Sequence, residues 1–248
     1  MASIHRTYVH PQGWLTDQIK ADRSESNHLI NVLRVKTGDV VIAFDGEGRQ
    51  AHARVSSVDD GIAVLNIQDE AVLPGLPVRI TLVQAIPKGS KMDLIIEKAT
   101  ELGVSEIWPV ITARTISRPH DGKDKTKCER WRKIAQSASK QCGTAYLPVV
   151  KDIMGFKEAM GCLAVFDKVL VGSLSANAIS LKQVLRSITP VDAMRVAMVI
   201  GPEGDLTPDE LDVMVKLGAV ETSFGDLVLR VETAAIYALS IMAYEFSG

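Results

Sequence analysis

The amino-acid sequence predicts an α/β fold preceded by a small β-barrel, and three observations predict it. Residues 1–72 read as short strands separated by turns, residues 78–248 alternate apolar strands with segments of helical period, and LPGLP at 73–77 stands between them. Strands that alternate with helices imply a parallel sheet, whereas short alternating runs between Asp- and Gly-rich turns imply a barrel or sandwich. A chain of 248 residues with 46% hydrophobic content can bury the core of one or two such domains. The expected division is a barrel over 1–72, a linker over 73–77 and an α/β domain over 78–248.

In the first part, VVIAF (40–44) and AHARVSSV (51–58) flank DGEGRQ as the arms of a hairpin, and GIAVLNI (61–67) follows a second Asp-rich turn. A short helix is expected near SNHLINVLR (26–34), where Leu29, Ile30, Val32 and Leu33 are apolar. Beyond the linker, RITLVQAI (79–86) reads as a strand. SKMDLIIEKATELG then sets Met92, Ile95, Ile96, Ala99 and Leu102 at helical spacing, with Ser90 as a capping candidate and Gly103 closing the helix. Strand VSEIWPV (104–110), a helix over Thr126–Gln141, and strands Lys168–Val171 and Arg195–Ile200 continue the alternation. After the last of these the chain runs through VIGPEGDLTPDE (199–210) into a helix with Thr207 as N-cap, Pro208 at its first position and Glu210 completing a T-x-x-E capping box. The end of FGDLVLRVETAAIYALSIMAYEF (224–246) is apolar on nearly every face, which predicts burial in the core or in a subunit interface. Thr233 reads as its N-cap.

Several function classes drop out. No apolar run approaches the ~18 residues of a membrane span, and MASIHRTYVHPQGWL has no charged-then-apolar leader pattern. Cys128, Cys142 and Cys162 lie far apart without a C-x-x-C, so neither a disulfide framework nor a zinc site is expected, and a reduced cytoplasmic setting is. The five histidines have no metal-ligand spacing, so no metal is expected. Gly46-Glu-Gly48-Arg-Gln-Ala51 matches a dinucleotide fingerprint, but a strand pattern and not a helix follows it, so it reads as a hairpin turn. Lys88-Gly89-Ser90-Lys91 lacks the spacing of a phosphate loop, and no G-x-S-x-G elbow appears.

Net charge is −2, yet residues 112–141 carry nine Lys/Arg against three acids, while residues 192–245 carry ten acids against three bases. A basic stripe on an acidic protein fits a phosphate-contacting face and, equally, a solvated helix surface. Two segments remain, the second of which a single structural Arg–Glu pair would also explain. GPEG (201–204) fixes its backbone with two glycines and a proline and holds a Glu on the bend. Arg230 and Glu232 sit among Leu227, Val228, Leu229 and Val231 just before the apolar helix, where a charge is costly unless paired or used.

VIGPEGDLTPDE followed by FGDLVLRVETA resembles the SPOUT-class RNA methyltransferases, and more narrowly the family that methylates ring nitrogen 3 of a uridine in 16S ribosomal RNA. HLINVLRVKTGD (28–39), KGSKMDLIIEKATELGVSEIWPV (88–110) and ERWRKIAQSASKQCG (129–143) extend the likeness over most of the chain. The resemblance implies a PUA-like barrel that helps hold RNA and an α/β domain with a trefoil knot, an exception to the rule against threaded chains. It also implies a cytoplasmic homodimer that uses S-adenosylmethionine on 16S rRNA or the small ribosomal subunit. The cofactor residues it implies are Val171, Gly172, Ile200, Gly201, Pro202, Glu203, Gly204, Phe224, Gly225, Leu227 and Leu229. It makes Arg230, Glu232 and Thr233 the catalytic group: Arg230 for charge on the uracil or an adjacent phosphate, Glu232 to orient Arg230 or take the proton, Thr233 for the base edge. Arg6, His28, Arg34, Arg114, Arg118 and Arg130 would contact RNA. The family pattern usually has glycine where this chain has Asp205, and arginine near Asp226–Val228 and at Thr144. A ribose 2′-O methyltransferase and a non-catalytic RNA-binding protein are the alternative readings.

Overall fold

The computed structural model describes residues 4–116 and 123–246. It divides into two compact units, Met1–Gly75 with Gln136–Leu147, and Leu76–Ala135 with Pro148–Gly248.

The first unit holds β1 (Arg6–Tyr8), β2 (Gln18–Lys20), α1 (Arg23–Asn27), β3 (Val40–Phe44), β4 (Arg49–Asp59) and β5 (Ile62–Val72). They form one sheet in the order β1-β3-β4-β5-β2, in which only the β1–β3 pair is parallel. Alternating inward residues, among them Ile19, Val41, Ala43, Ala53 and Leu65, form its core with Leu29. Register shifts at His52/Ala53 and Val55/Ser57 interrupt the long β4–β5 pair, as bulges do where a ribbon must bend. The β3–β4 turn is the G-x-G-x-x-A stretch: Gly46 and Gly48 take φ of 82° and 107°, and strand β4 follows. α1 passes directly into a π-helical turn, His28–Val32, closed by Leu33 N donating to His28 O at 2.9 Å. Segment Gln136–Leu147 joins this unit through buried Glu25, whose carboxylate accepts from Thr7 Oγ1 (2.9 Å), Gln136 Nε2 (3.0 Å) and Lys140 Nζ (2.8 Å). Tyr146 Oη also donates to Leu73 O at 2.8 Å.

The second unit continues with β6 (Val78–Ala85), α2 (Lys91–Glu101), β7 (Glu106–Ile111), α3 (Lys123–Cys142), β8 (Val149–Val150), β9 (Met154–Gly155), α4 (Phe156–Gly161), β10 (Lys168–Gly172), β11 (Ile179–Ser180), α5 (Leu181–Arg186), β12 (Met194–Ile200), α6 (Pro208–Lys216), β13 (Val220–Ser223) and α7 (Val231–Phe246). α3 begins earlier than the expected Thr126, and its last turns, from Gln136, belong to the first unit. The strands form a parallel sheet ordered β11-β13-β10-β12-β6-β7-β8, with β9 also on β7. β12 and β6 are buried on both faces, as parallel strands between helices must be. This order sets the carboxyl ends of β10, β12 and β13 side by side at one edge of the sheet. Crevices outside such ends are where open α/β sheets bind ligands.

The capping box of α6 is complete: Glu210 N donates to Thr207 Oγ1 at 3.2 Å, and Thr207 N donates to Glu210 Oε2 at 3.0 Å. Two capping expectations are corrected. Ser90 precedes α2 but makes no side-chain cap bond. α7 starts at Val231, so Thr233 lies inside its first turn, and the carbonyl of Arg230 accepts from Ala234 N at 2.8 Å. Among the described residues no helix is long and apolar enough to cross a membrane, and no group of three or more His, Cys, Asp or Glu is placed to hold a metal ion.

Candidate functional site

The loops that leave β10, β12 and β13 enclose a cavity of about 580 Å³ in the second unit, within the range of small-molecule sites. The first loop contributes Gly172, Ser173, Leu174 and Ser175; the second Ile200, Gly201, Pro202, Glu203 and Asp205; the third runs from Ser223 through Arg230. Gly172 is small for a reason: a Cβ there would stand 2.9 Å from Cε2 and Cζ of Phe224. At Gly201 a Cβ would come within 3.2 Å of Leu206 N. Asp205, where the family pattern carries glycine, takes φ of 61°, the left-handed region that Asp tolerates better than most residues. Its Oδ1 accepts from Leu206 N at 2.8 Å.

The GPEG bend is gripped from two sides. Arg114 Nη1 donates to Gly204 O at 2.7 Å. Opposite it, Glu203 accepts from Lys88 N at 3.1 Å and from Lys91 Nζ at 3.1 Å. Burial alone would raise the Glu203 carboxyl, but its own backbone amide, the Lys91 ammonium and the Lys88 amide outweigh that and hold it below its ordinary value. Lys91 is correspondingly raised by Glu203 and then by Glu232. Its Nζ lies 3.2 Å from Glu232 Oε2. That oxygen is buried and holds no hydrogen bond, so the contact is an ion pair off the hydrogen-bonding direction. Acids Glu203, Asp205 and Asp226 outnumber Lys91 and Arg230 in the cavity wall, which suits a ligand carrying positive charge.

Of the expected cofactor residues, Gly172, Ile200, Gly201, Pro202, Glu203, Phe224, Gly225, Leu227 and Leu229 line the cavity. Val171 is fully buried in β10 and backs the wall, its carbonyl accepting from Thr222 Oγ1 at 3.0 Å. Gly204 faces Arg114. Arg230 lines the cavity and is exposed, as are Leu227 (78%) and Val228 (76%). Glu232 pairs with Lys91 and not with Arg230, so it does not orient that guanidinium. Thr233 lines a separate apolar groove on α7 with Ile236, Tyr237, Ile241 and Tyr244. Sequence reasoning missed Lys91. Its signal was the K-G-S-K turn, set aside for want of phosphate-loop spacing.

Part of the basic stripe is held by partners. Arg130 pairs with Asp93, Arg132 with Asp152 at 2.6 Å and Lys140 with Glu25. Arg6 donates to Gln50 Oε1 (2.9 Å) and Thr144 O (3.0 Å) and stacks over Phe44. His28 opens the π-turn, and Arg34 is exposed at φ 56°. Arg118 lies outside the described residues.

Comparison with known proteins identifies the family. Residues 74–243 match the RNA methyltransferase domain family and residues 21–68 the RNA methyltransferase PUA domain. Ribosomal RNA small subunit methyltransferase E of Bacillus subtilis is 34% identical over 89% of this chain and 88% of its own. The protein of the same name from Mycobacterium bovis is 30% identical over 88% and 83%. A crystal structure of ribosomal RNA small subunit methyltransferase E from Neisseria gonorrhoeae, bound to S-adenosyl methionine, superposes with a TM-score of 0.84 at 30% identity, covering 98% of both chains. The fold is that of a SPOUT-class RNA methyltransferase with a PUA-like N-terminal unit. Within that class the chain belongs to the ribosomal RNA small subunit methyltransferase E family.

Proposed function

We propose that this protein is a cytoplasmic homodimer that methylates ring nitrogen 3 of a uridine in 16S rRNA with S-adenosylmethionine. The observation that carries the reading is the cavity where three loops converge at the ends of β10, β12 and β13. Its residues fit the cofactor. Glycines at 172 and 201 let the walls approach closely, Ile200, Leu227 and Leu229 offer apolar flanks for a ring, and the acidic balance suits a sulfonium. When bound, S-adenosylmethionine supplies a methyl group already activated on that sulfonium.

The chain's own residues do the rest by alignment and charge. Arg230, facing the cavity, is assigned to the negative charge that collects on the uracil carbonyl oxygens as the N3 proton leaves. Glu232 is offered as acceptor of that proton, since its partner is Lys91 and it has no part in orienting Arg230. Thr233 and the apolar groove on α7 are assigned to the second copy's side of a shared site, with the chain knotted through the cavity loops as in the SPOUT class. Arg34 and His28 in the PUA-like unit are assigned to phosphates.

Mass mapping of nucleosides in rRNA from cells with and without the gene tests the reaction. Loss of 3-methyluridine is expected; loss of a 2′-O-methylated nucleoside instead would overturn the position. In vitro, Arg230→Ala should retain cofactor affinity and lower kcat on the order of 10²-fold, the scale of losing one charge-stabilising donor. Normal turnover would remove Arg230 from the mechanism.

A further inference from the structure

We infer that Lys91 is a positioning residue, one cation that ties the cavity loop to the start of α7 by holding Glu203 and Glu232 together; the inference rests on the methyl-transfer reading above. Lys91 opens α2, Glu203 sits on the GPEG bend and Glu232 lies in the first turn of α7. The ammonium is 3.1 Å from one carboxylate and 3.2 Å from the other. The three side chains are only 32%, 26% and 16% exposed, so their attraction is stronger than that of pairs in open water. Lys88 N, from the same K-G-S-K turn, also donates to Glu203. Both ends of that turn thus hold one carboxylate of the cavity wall.

The charge count gives this tie its consequence. One cation faces two anions, so neither carboxylate is fully neutralised. Anything that draws Glu203 away leaves Lys91 to Glu232, and anything that draws Glu232 away leaves it to Glu203. Glu203 lines the cavity, and Glu232 is next but one to Arg230 in the chain. Filling of the cavity and the charge environment at the head of α7 are therefore linked through Lys91, and linkage acts equally in both directions. Arg230 makes no ion pair among the described residues, which leaves it available to the substrate.

The test uses the full chain as wild type, Lys91→Met, Lys91→Arg, Glu203→Gln, Glu232→Gln and the double variant Lys91→Met/Glu232→Gln. Hydrogen exchange without any cofactor is read at the amides of 201–205 and 231–235, alongside S-adenosylmethionine affinity by calorimetry and kcat on 16S rRNA. Lys91→Met is expected to speed exchange in both segments and to weaken cofactor binding roughly tenfold, the scale of coupling between linked sites. It should lower kcat on the order of 10²-fold, as small misplacements of reacting groups do. Lys91→Arg should recover most of each loss. The double variant should lose less than the product of the two single losses, because both changes remove the Lys91–Glu232 contact. Unchanged exchange in Lys91→Met, or kcat losses that multiply in the double variant, would overturn the assignment. Should Lys91→Met not fold, Glu203→Gln decides: faster exchange at 201–205 with slower exchange at 231–235, where Lys91 is left to Glu232 alone, supports the tie, and a change confined to 201–205 refutes it. A wild type that neither binds S-adenosylmethionine nor methylates rRNA would defeat the functional reading, while the exchange comparison still decides the role of Lys91.

Discussion

At Gly172 a single hydrogen in place of a side chain determines whether two cavity loops can meet. Because a Cβ would press on the Phe224 ring at 2.9 Å, Gly172→Ala should destabilise by about 1–3 kcal/mol, as overpacking does. It should also displace Phe224 from the cavity wall and weaken S-adenosylmethionine binding; thermal melting and calorimetry on the same preparation check both, and unchanged values in each would mean the ring moves freely. The sequence marked Gly172 as a site position but not the cause, since the clash is with a residue on another loop. Asp205 shows the converse. Its departure from the family's glycine was plain in the sequence, whereas the left-handed φ of 61° that explains a glycine there is a property of the folded bend. Lys91 escaped notice because each of its carboxylate partners lies more than a hundred positions away.

Helix starts show how far local rules reach. α6 follows its sequence signals completely, and Thr207→Ala should remove the Oγ1 that accepts from Glu210 N, costing about 1 kcal/mol. For a chain of this size that is a melting shift of roughly 2–4 °C, measurable by calorimetry; no shift would mean that Glu210 alone holds the turn. α7 obeys no such signal. Thr233 had the right chemistry for a cap, yet the carbonyl of Arg230 already accepts the first helical bond, and packing of α7 on α2 and β12 sets where the helix begins. The stretch HLINVLR was legible as helical, but not as a π-turn, because an extra residue in the turn leaves apolar spacing almost unchanged.

For the whole molecule, the apolar groove on α7 is the face on which the proposed homodimer is tested. Tyr244 is 81% exposed and Tyr237 43%, and with Ile236 and Ile241 they line one continuous groove. Large exposed apolar patches mark interaction sites. Sedimentation of the wild type should therefore give a dimer, with Tyr244→Asp shifted to monomer and inactive on rRNA; a monomeric wild type with full activity would refute the dimer. The near-uniform apolarity of the last helix predicts burial in the core or in a subunit interface, and the α/β alternation announced the parallel sheet. Composition counts the charges of the basic stripe without their partners: Arg130, Arg132 and Lys140 are each paired within their own unit.

The first unit is not a contiguous stretch of chain, since Gln136–Leu147 returns to it and Lys140 neutralises the otherwise buried Glu25. Severed after Gly75, the N-terminal piece would keep that carboxylate and lose its counterion. The protein cannot, then, be divided by one cleavage into transplantable halves, and recombination that exchanges the front module alone has to carry an internal insert with it.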